Sequence, residues 1–247
     1  MARLRCISLI VAFACCAFSL RSADPPPDLL KRILARETAT EAERANFAYR
    51  QRVRIEELDL NGRRRGKYRE LRDVIFTAEG KRHEEMAGKP YDTLAGLRLT
   101  AEDFRDMREV QPFLFTSDQL HLYQTQFKGE EPVEGAPCWV LQVTPRQILQ
   151  GQRLFEGLVW VQQEELAVIR MEGRAVPQIL NRKQENLFPR FTTVRKKVDG
   201  KFWFPDRTFA DDVLPFRAGP VRIKLEIVYS QYKRFSADSK VTFQPPK

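Results

Sequence analysis

The chain is poor in the residues that do chemistry. Its 247 residues hold two histidines, His83 and His121, and four cysteines. Three of the cysteines, Cys6, Cys15 and Cys16, fall at the very start, which leaves Cys138 alone in the rest. Two distant histidines and one cysteine give no metal-ligand spacing. Gly-x-Ser-x-Gly, a phosphate-cradling glycine loop and His-Glu-x-x-His are all missing. Cys138 with either histidine would make a nucleophile-base pair, but nothing local supports it. Adjacent carboxylates occur at Glu84-Glu85, Glu130-Glu131, Glu164-Glu165 and Asp211-Asp212. Neighbours on a strand point to opposite faces, so such pairs cannot flank one substrate bond. An enzyme is the least expected class; no catalytic, metal or cofactor residues are assigned, and no cofactor is expected.

Long apolar runs are also scarce, with one exception. Met1 to Arg5 is a short basic start, Cys6 to Leu20 is almost wholly apolar, and small residues follow at Ser19, Ser22 and Ala23 before Pro25-Pro26-Pro27. This order is that of a secretory signal peptide over residues 1–23, cleaved after Ser19 or Ala23. The run is shorter than the roughly 20 residues a spanning helix needs. Cys15 and Cys16 are candidate lipid-attachment sites in contexts that fit poorly. An exported chain with Cys138 as its one remaining cysteine has no internal disulfide and must rest on its core; residues 28–247 suffice for one domain. Beside Pro137 and Trp139, Cys138 reads as a small buried hydrophobe.

The formal charge is +9. Without Arg3, Arg5 and Arg21 it is about +6. Basic clusters stand at Arg63-Arg64-Arg65 and Arg195-Lys196-Lys197. Solvated strand faces and turns explain them better than attraction to an anionic membrane surface does. Nucleic acid is not an expected partner, because no binding motif accompanies the charge.

What the chain does have is alternation. Val221, Ile223, Leu225, Ile227 and Tyr229 point one way and Arg222, Lys224 and Glu226 the other, the mark of a half-buried strand. Phe47 to Glu56 alternates similarly, and Asn61-Gly62 is a strong turn signal before a second strand over Lys67–Thr77. Ahead of these, Asp28 and the box Thr40-Glu41-Ala42-Glu43 suggest one broken helix from Asp28 to Ala45. Thr100 to Asp103 is a capping box opening a helix over Ala101–Val110, stopped by Pro112. Phe113-Leu114-Phe115 and Leu120 to Tyr123 fit a helix end or a strand equally. Trp139–Val143 is a strand. Gly157–Val161 with Ala167–Met171, and Phe191–Val198 with Lys201–Phe204 around Asp199-Gly200, are hairpins. Pro205 is expected to end the last of these. Phe202-Trp203-Phe204 forces aromatic burial on both strand faces, or leaves a ring for a partner.

Leu154 to Val161, then Val168 to Gly173, resemble a strand pair of outer-membrane lipoprotein-sorting proteins. Phe191 and Arg195, followed by Asp199-Gly200-Lys201-Phe202-Trp203-Phe204-Pro205, look like the strand, turn and Trp-x-Pro element of that superfamily, and Tyr229 to Phe235 is similar to its closing strand. The likeness is best over residues 137–235, and the order of the pieces carries it. The chain thus resembles the LolA/LolB/RseB type, in a bacterial branch with a longer insertion before Trp139 and no arginine matching the sorting protein's gating residue. The resemblance implies an α+β fold: a curved, unclosed antiparallel β-barrel, or half-barrel, with helices covering the concave face. It also implies a hydrophobic cavity for lipid or lipoprotein acyl chains. The expected function is then a periplasmic, non-enzymatic carrier of such chains, acting as a monomer. A regulatory envelope-stress module contacting a membrane protein is the alternative, and an accessory subunit of an export system the third reading. The expected apolar lining is Trp139, Leu158, Trp160, Ile169, Trp203, Val221, Ile223, Leu225 and Ile227.

Overall fold

A computed structural model describes residues 25–77, 81–180, 185–186 and 188–235. The expected signal peptide, residues 1–23 with Cys6, Cys15 and Cys16, lies outside the described residues. Helix α1 spans Leu29–Arg44, and strands β1 (Phe47–Leu58), β2 (Arg64–Phe76), β3 (Arg82–Met86) and the short β4 (Tyr91–Asp92) follow. Helix α2, Ala101–Arg105, runs on into a π-turn over Asp106–Val110, and a 3-10 turn covers Ser117–Leu122. Then come β5 (Tyr123–Glu130), β6 (Cys138–Pro145), β7 (Leu154–Gln162) and β8 (Ala167–Val176). After the two-residue strands β9 (Ile179–Leu180) and β10 (Glu185–Asn186) come β11 (Phe191–Val198), β12 (Phe202–Phe216) and β13 (Gly219–Arg234), the last strand among the described residues.

Apart from β9 and β10, which pair with each other, all strands join one antiparallel sheet in the order β3-β2-β1-β13-β12-β11-β8-β7-β6-β5, with β4 on β2. The sheet does not close on itself: β3 and β5 are its two edges, and the architecture is an unclosed half-barrel with helices. Its turns follow local chemistry. Asp199 and Gly200 both have positive φ, +51° and +67°, as the type I′ turn between β11 and β12 requires. At the β1–β2 turn, Asp59 Oδ1 accepts from the backbone N–H of Asn61 and Arg63.

The inner face carries the main core. Val53, Ile55, Val74, Val159, Val168, Met171 and, from β13, Val221, Ile223, Leu225, Ile227 and Tyr229 share one core cluster with Leu29, Ile33 and Leu34 of α1 and Met107 and Val110 of the π-turn. Two buried ion pairs tie the covering segments to the sheet. Arg195 on β11 donates from Nη1 to both Glu37 oxygens at 3.0 and 2.9 Å, to Val168 O, and from Nη2 to Phe113 O. Arg153, just before β7, holds Asp106 of the π-turn through Nε at 2.7 Å and through Nη2.

The structure departs from the expected elements in four places. Helix α1 is unbroken, because the Thr40 hydroxyl donates back to Arg36 O at 3.0 Å instead of capping a new turn. The Asp28 side chain makes no cap hydrogen bond. The ambiguous Phe113–Tyr123 stretch is extended chain, a 3-10 turn and the start of β5. Pro205 does not end β12, which runs on to Phe216. Proline is tolerated there because Arg195 pairs Pro205 at a register shift, and bulges need no ladder N–H at that point.

The Thr100 box is present: Thr100 Oγ accepts from the Asp103 N–H, and Asp103 Oδ2 accepts from the Thr100 N–H at 2.7 Å. Burial pushes the Asp103 carboxyl up to about 6, against hydrogen bonds that favour the anion. A carboxyl raised in the fold above its unfolded value near 4 adds stability that is complete below about pH 4 and lost as pH rises through about 6. Asp103→Asn removes this dependence and keeps an acceptor. The variant's unfolding free energy relative to wild type is expected to climb between pH 4 and 6 and level off above 7, by at most about 3 kcal/mol, as urea unfolding across that range measures. A flat difference across that range contradicts the raised value.

Candidate functional site

Both sheet edges contribute to one cleft of about 300 Å³. Phe76 at the end of β2 and Arg82 on β3 come from one side. Leu122, Tyr123, Leu154 and Phe155 come from the other. The segment Arg108–Leu114 and the α1 residues Glu41 and Arg44 lie between. The cleft exists because the sheet stops short of closure and the chain after α2 fills the gap imperfectly.

Its floor is aromatic. Phe113 stacks on Phe155 at 5.1 Å between centroids and meets the Tyr123 ring edge-on at 5.5 Å. Phe115 and Phe191 extend the cluster. Tyr123 accepts the Phe155 N–H at 3.2 Å, and burial pushes its phenol up to about 12, so it stays neutral. Its rim is basic. Arg44 lies 5.9 Å from the Phe76 ring centre and donates to Pro112 O at 3.3 Å. Partial burial lowers the Arg44 guanidinium from its ordinary value, and the Arg82 charge adds to the effect. Arg82 is held by Glu84, the Tyr49 hydroxyl and Gln51. Arg108 lines the opening, and Arg153 closes the base through its pair with Asp106. Such a site can take an apolar chain below and an anionic group above.

The nine residues expected to line a cavity do not share one surface. Val221, Ile223, Leu225 and Ile227 are buried in the main core, and half-buried Trp139 packs against it, all under the covering helices. Leu158, Trp160, Ile169 and Trp203 lie on the opposite face, in a small cluster with Cys138 and Val140. The reason is strand parity: Trp139 and Val140 are neighbours, Trp160 lies between the inward Val159 and Val161, and on β8 the phase resets at a bulge where Ile169 has no partner on β7. On that outer face the Trp160 indole donates to Glu131 at 3.2 Å and the Trp203 indole to Glu165 at 2.9 Å. Cys138 is fully buried, as its apolar setting implied. Phe202 and Phe204 pack together on Phe47, with Trp203 facing the other way, so all three rings are used by the fold itself.

Sequence reading missed the cleft residues Phe76, Arg82, Arg108, Tyr123 and Phe155. The one available signal was Phe113-Leu114-Phe115, apolar with neither helical nor strand period. Among the described residues no group of three or more histidines, cysteines and carboxylates is placed to hold a metal ion. No helix among them is long and apolar enough to cross a membrane.

No known family's sequence profile matches the chain, and no curated protein does. Solved structures do match. A DUF1329 family protein from Desulfovibrio piger is 15% identical, with 86% of this chain and 95% of that chain covered and a TM-score of 0.41. An outer membrane lipoprotein-sorting protein domain from Vibrio parahaemolyticus is 11% identical, with 85% and 94% covered and a TM-score of 0.42. A LolA superfamily protein from Nitrosomonas europaea is 15% identical, with 84% and 94% covered and a TM-score of 0.38. These neighbours are of the kind the sequence resembles. At such identities and scores they carry no argument about function.

Proposed function

We propose that this protein binds acyl-chain amphiphiles with an anionic head group in a bacterial cell envelope, as a non-enzymatic carrier. The observation that carries this reading is the cleft between the sheet edges, with its aromatic floor and arginine rim. Apolar chain buried on such a floor is stabilised by roughly 25 cal/mol per Å². The guanidinium groups above it favour carboxylate or phosphate. The present volume suits a head group and the first part of a chain. A whole chain requires α1 or the Phe113–Thr116 segment to yield, and the wall then met includes Val221, Ile223, Leu225, Ile227 and Trp139. A carrier needs these two covers, its own helix and the cargo, to be close in free energy. In this reading residues 1–23 are an export signal, residues 28–247 one periplasmic domain, and the cargo is lipid or the acyl chains of a lipoprotein.

The test is native mass spectrometry of the full exported chain from its own envelope, with displacement of a fluorescent fatty acid in solution. A bound lipid mass and saturable displacement are expected. Arg108→Glu should weaken a fatty acid about tenfold, the effect of one partly desolvated charge contact near 1.4 kcal/mol, and leave its uncharged methyl ester unchanged. A folded protein that carries no lipid and takes up no probe overturns the reading.

A further inference from the structure

The outer face of the sheet holds a second, larger concavity of about 780 Å³ across β1, β2 and β13. Five cations line it, Arg50, Arg52, Arg54, Arg69 and Lys89, against two carboxylates, Glu70 and Glu226. Neither carboxylate is spare. Glu70 is held by Tyr68 and Arg72, and Glu226 by Arg207 at 2.7 Å.

The two basic runs conspicuous in the sequence do not build this surface. Arg195 is buried on Glu37, Lys196 pairs Asp206, Lys197 pairs Glu165, and Arg64 pairs Glu56. The groove comes instead from every second residue of β1, brought opposite β2 by the register. Arg54 faces Arg69 on one side and Glu226 on the other, and Arg52 faces Leu71 and Val228. Side chains directly opposed on adjacent antiparallel strands sit about 5 Å apart at Cβ, and like charges so placed are destabilising. Arg54 turns to Glu56 at 2.5 Å, and Arg50 is paired with Asp73. Among the described residues no carboxylate bonds Arg52, Arg69 or Lys89, and all three are exposed. Arg52, Arg69 and Lys89 are thus left around one concavity without a carboxylate partner, and an anion among them would offset their mutual repulsion. Guanidinium groups grouped in this way match the oxygens of phosphate.

We infer that this outer groove is a phosphate-recognition site, in which Arg52, Arg54, Arg69 and Lys89 converge on a ligand carrying phosphate groups. It lies on the opposite face of the sheet from the cleft and does not depend on it. The phosphate belongs either to a soluble phosphorylated compound or to lipid head groups at a membrane surface.

The experiment uses the full exported chain with two probes. Inorganic pyrophosphate is titrated by calorimetry, and phosphatidylcholine vesicles with and without phosphatidylglycerol are sedimented with the protein. Arg69→Glu is the decisive variant. It places a carboxylate opposite Arg54, so its melting temperature should equal or exceed wild type, while affinity for the responding probe falls more than tenfold. Arg52→Ala should fall several-fold, and Lys128→Glu, an exposed position on β5 that lines neither concavity, should bind either probe like wild type. A response to pyrophosphate identifies a soluble ligand, and a response confined to phosphatidylglycerol vesicles identifies a membrane surface; either supports the site. No binding to either probe, binding untouched by Arg69→Glu, or binding of poly-glutamate in place of both probes overturns it.

Discussion

Removing either half of the Glu37–Arg195 pair is expected to destabilise the protein by about 3–5 kcal/mol, because the survivor is left as an uncompensated buried charge. The Arg195 side chain is 1% exposed and that of Glu37 is fully buried. In Glu37→Gln the guanidinium keeps only neutral acceptors, including Phe113 O and Val168 O. In Arg195→Met the carboxylate keeps one long contact with the Val168 N–H at 3.3 Å. Replacing both residues with methionine should recover most of the loss, since an apolar pair of similar volume carries no desolvation cost. Urea unfolding of the two single variants and the double variant measures this directly. If each single variant costs under 1 kcal/mol, water reaches the pair and α1 is held by its apolar face alone. The pair also ties the two segments that cover the inner face, α1 and the Phe113 stretch, to strands β8 and β11 of the sheet. Weakening it should therefore speed uptake of an acyl probe if the cleft opens by release of α1, which links this measurement to the proposed function.

The second large effect is expected at two glycines. Gly157 on β7 and Gly173 on β8 are directly paired, and the Phe155 ring lies over both. A Cβ added at Gly157 would stand 2.1 Å from Glu172 O and 2.8 Å from Phe155 Cζ. At Gly173 it would stand 2.3 Å from Glu156 O and 2.6 Å from Phe155 Cε2. Backbone cannot retreat without breaking the β7–β8 ladder, and Phe155 cannot retreat without leaving its stack on Phe113. Gly173→Ala and Gly157→Ala should each cost about 3 kcal/mol or more, the scale of an overpacked core. Gly62→Ala is the control. That residue has φ +81° but open space around its Cβ position, so about 1 kcal/mol of backbone strain is expected. Thermal unfolding of the three variants ranks them, and equal losses at all three would show that φ, not the buried ring, sets the glycine requirement.

The sheet was largely legible in the sequence because strand period and turn chemistry are local. Val221 to Tyr229 alternates in the structure as it does in the sequence, and Asp199-Gly200 forms the turn its residue types call for. Pro205 was misread because a proline is a stop signal only when its missing N–H matters, and the pairing bulge opposite it is not written locally. Beyond the aperiodic Phe113-Leu114-Phe115, the candidate cleft was not legible. Arg82 and Tyr123 come from opposite edges of the sheet, and no periodicity reports which strands become edges. The nine lining residues were chosen for being large and apolar in strands. That criterion cannot tell the inner face from the outer one once bulges shift the phase, so Trp160 and Trp203 were grouped with Ile223. The basic groove was hidden for the same reason in reverse: it is made of alternating arginines, whereas consecutive ones attract attention.

The strand order bears on how the molecule is made. Strands β1, β2 and β3 are sequence neighbours, and so are β5 to β8, yet β13 lies between β12 and β1 and pairs Phe47 with Arg234. The last strand described therefore joins the earliest to the rest, and this contact spans nearly the whole chain. Closing such a long loop is slow relative to the local hairpins. Until β13 has been made, β1 has no partner on that side and its alternating arginines border an unpaired edge. Positive charge on an open edge discourages it from joining another chain. The arginines of β1 then serve before the native state exists, keeping an unfinished sheet from pairing with its neighbours while it waits for its final strand.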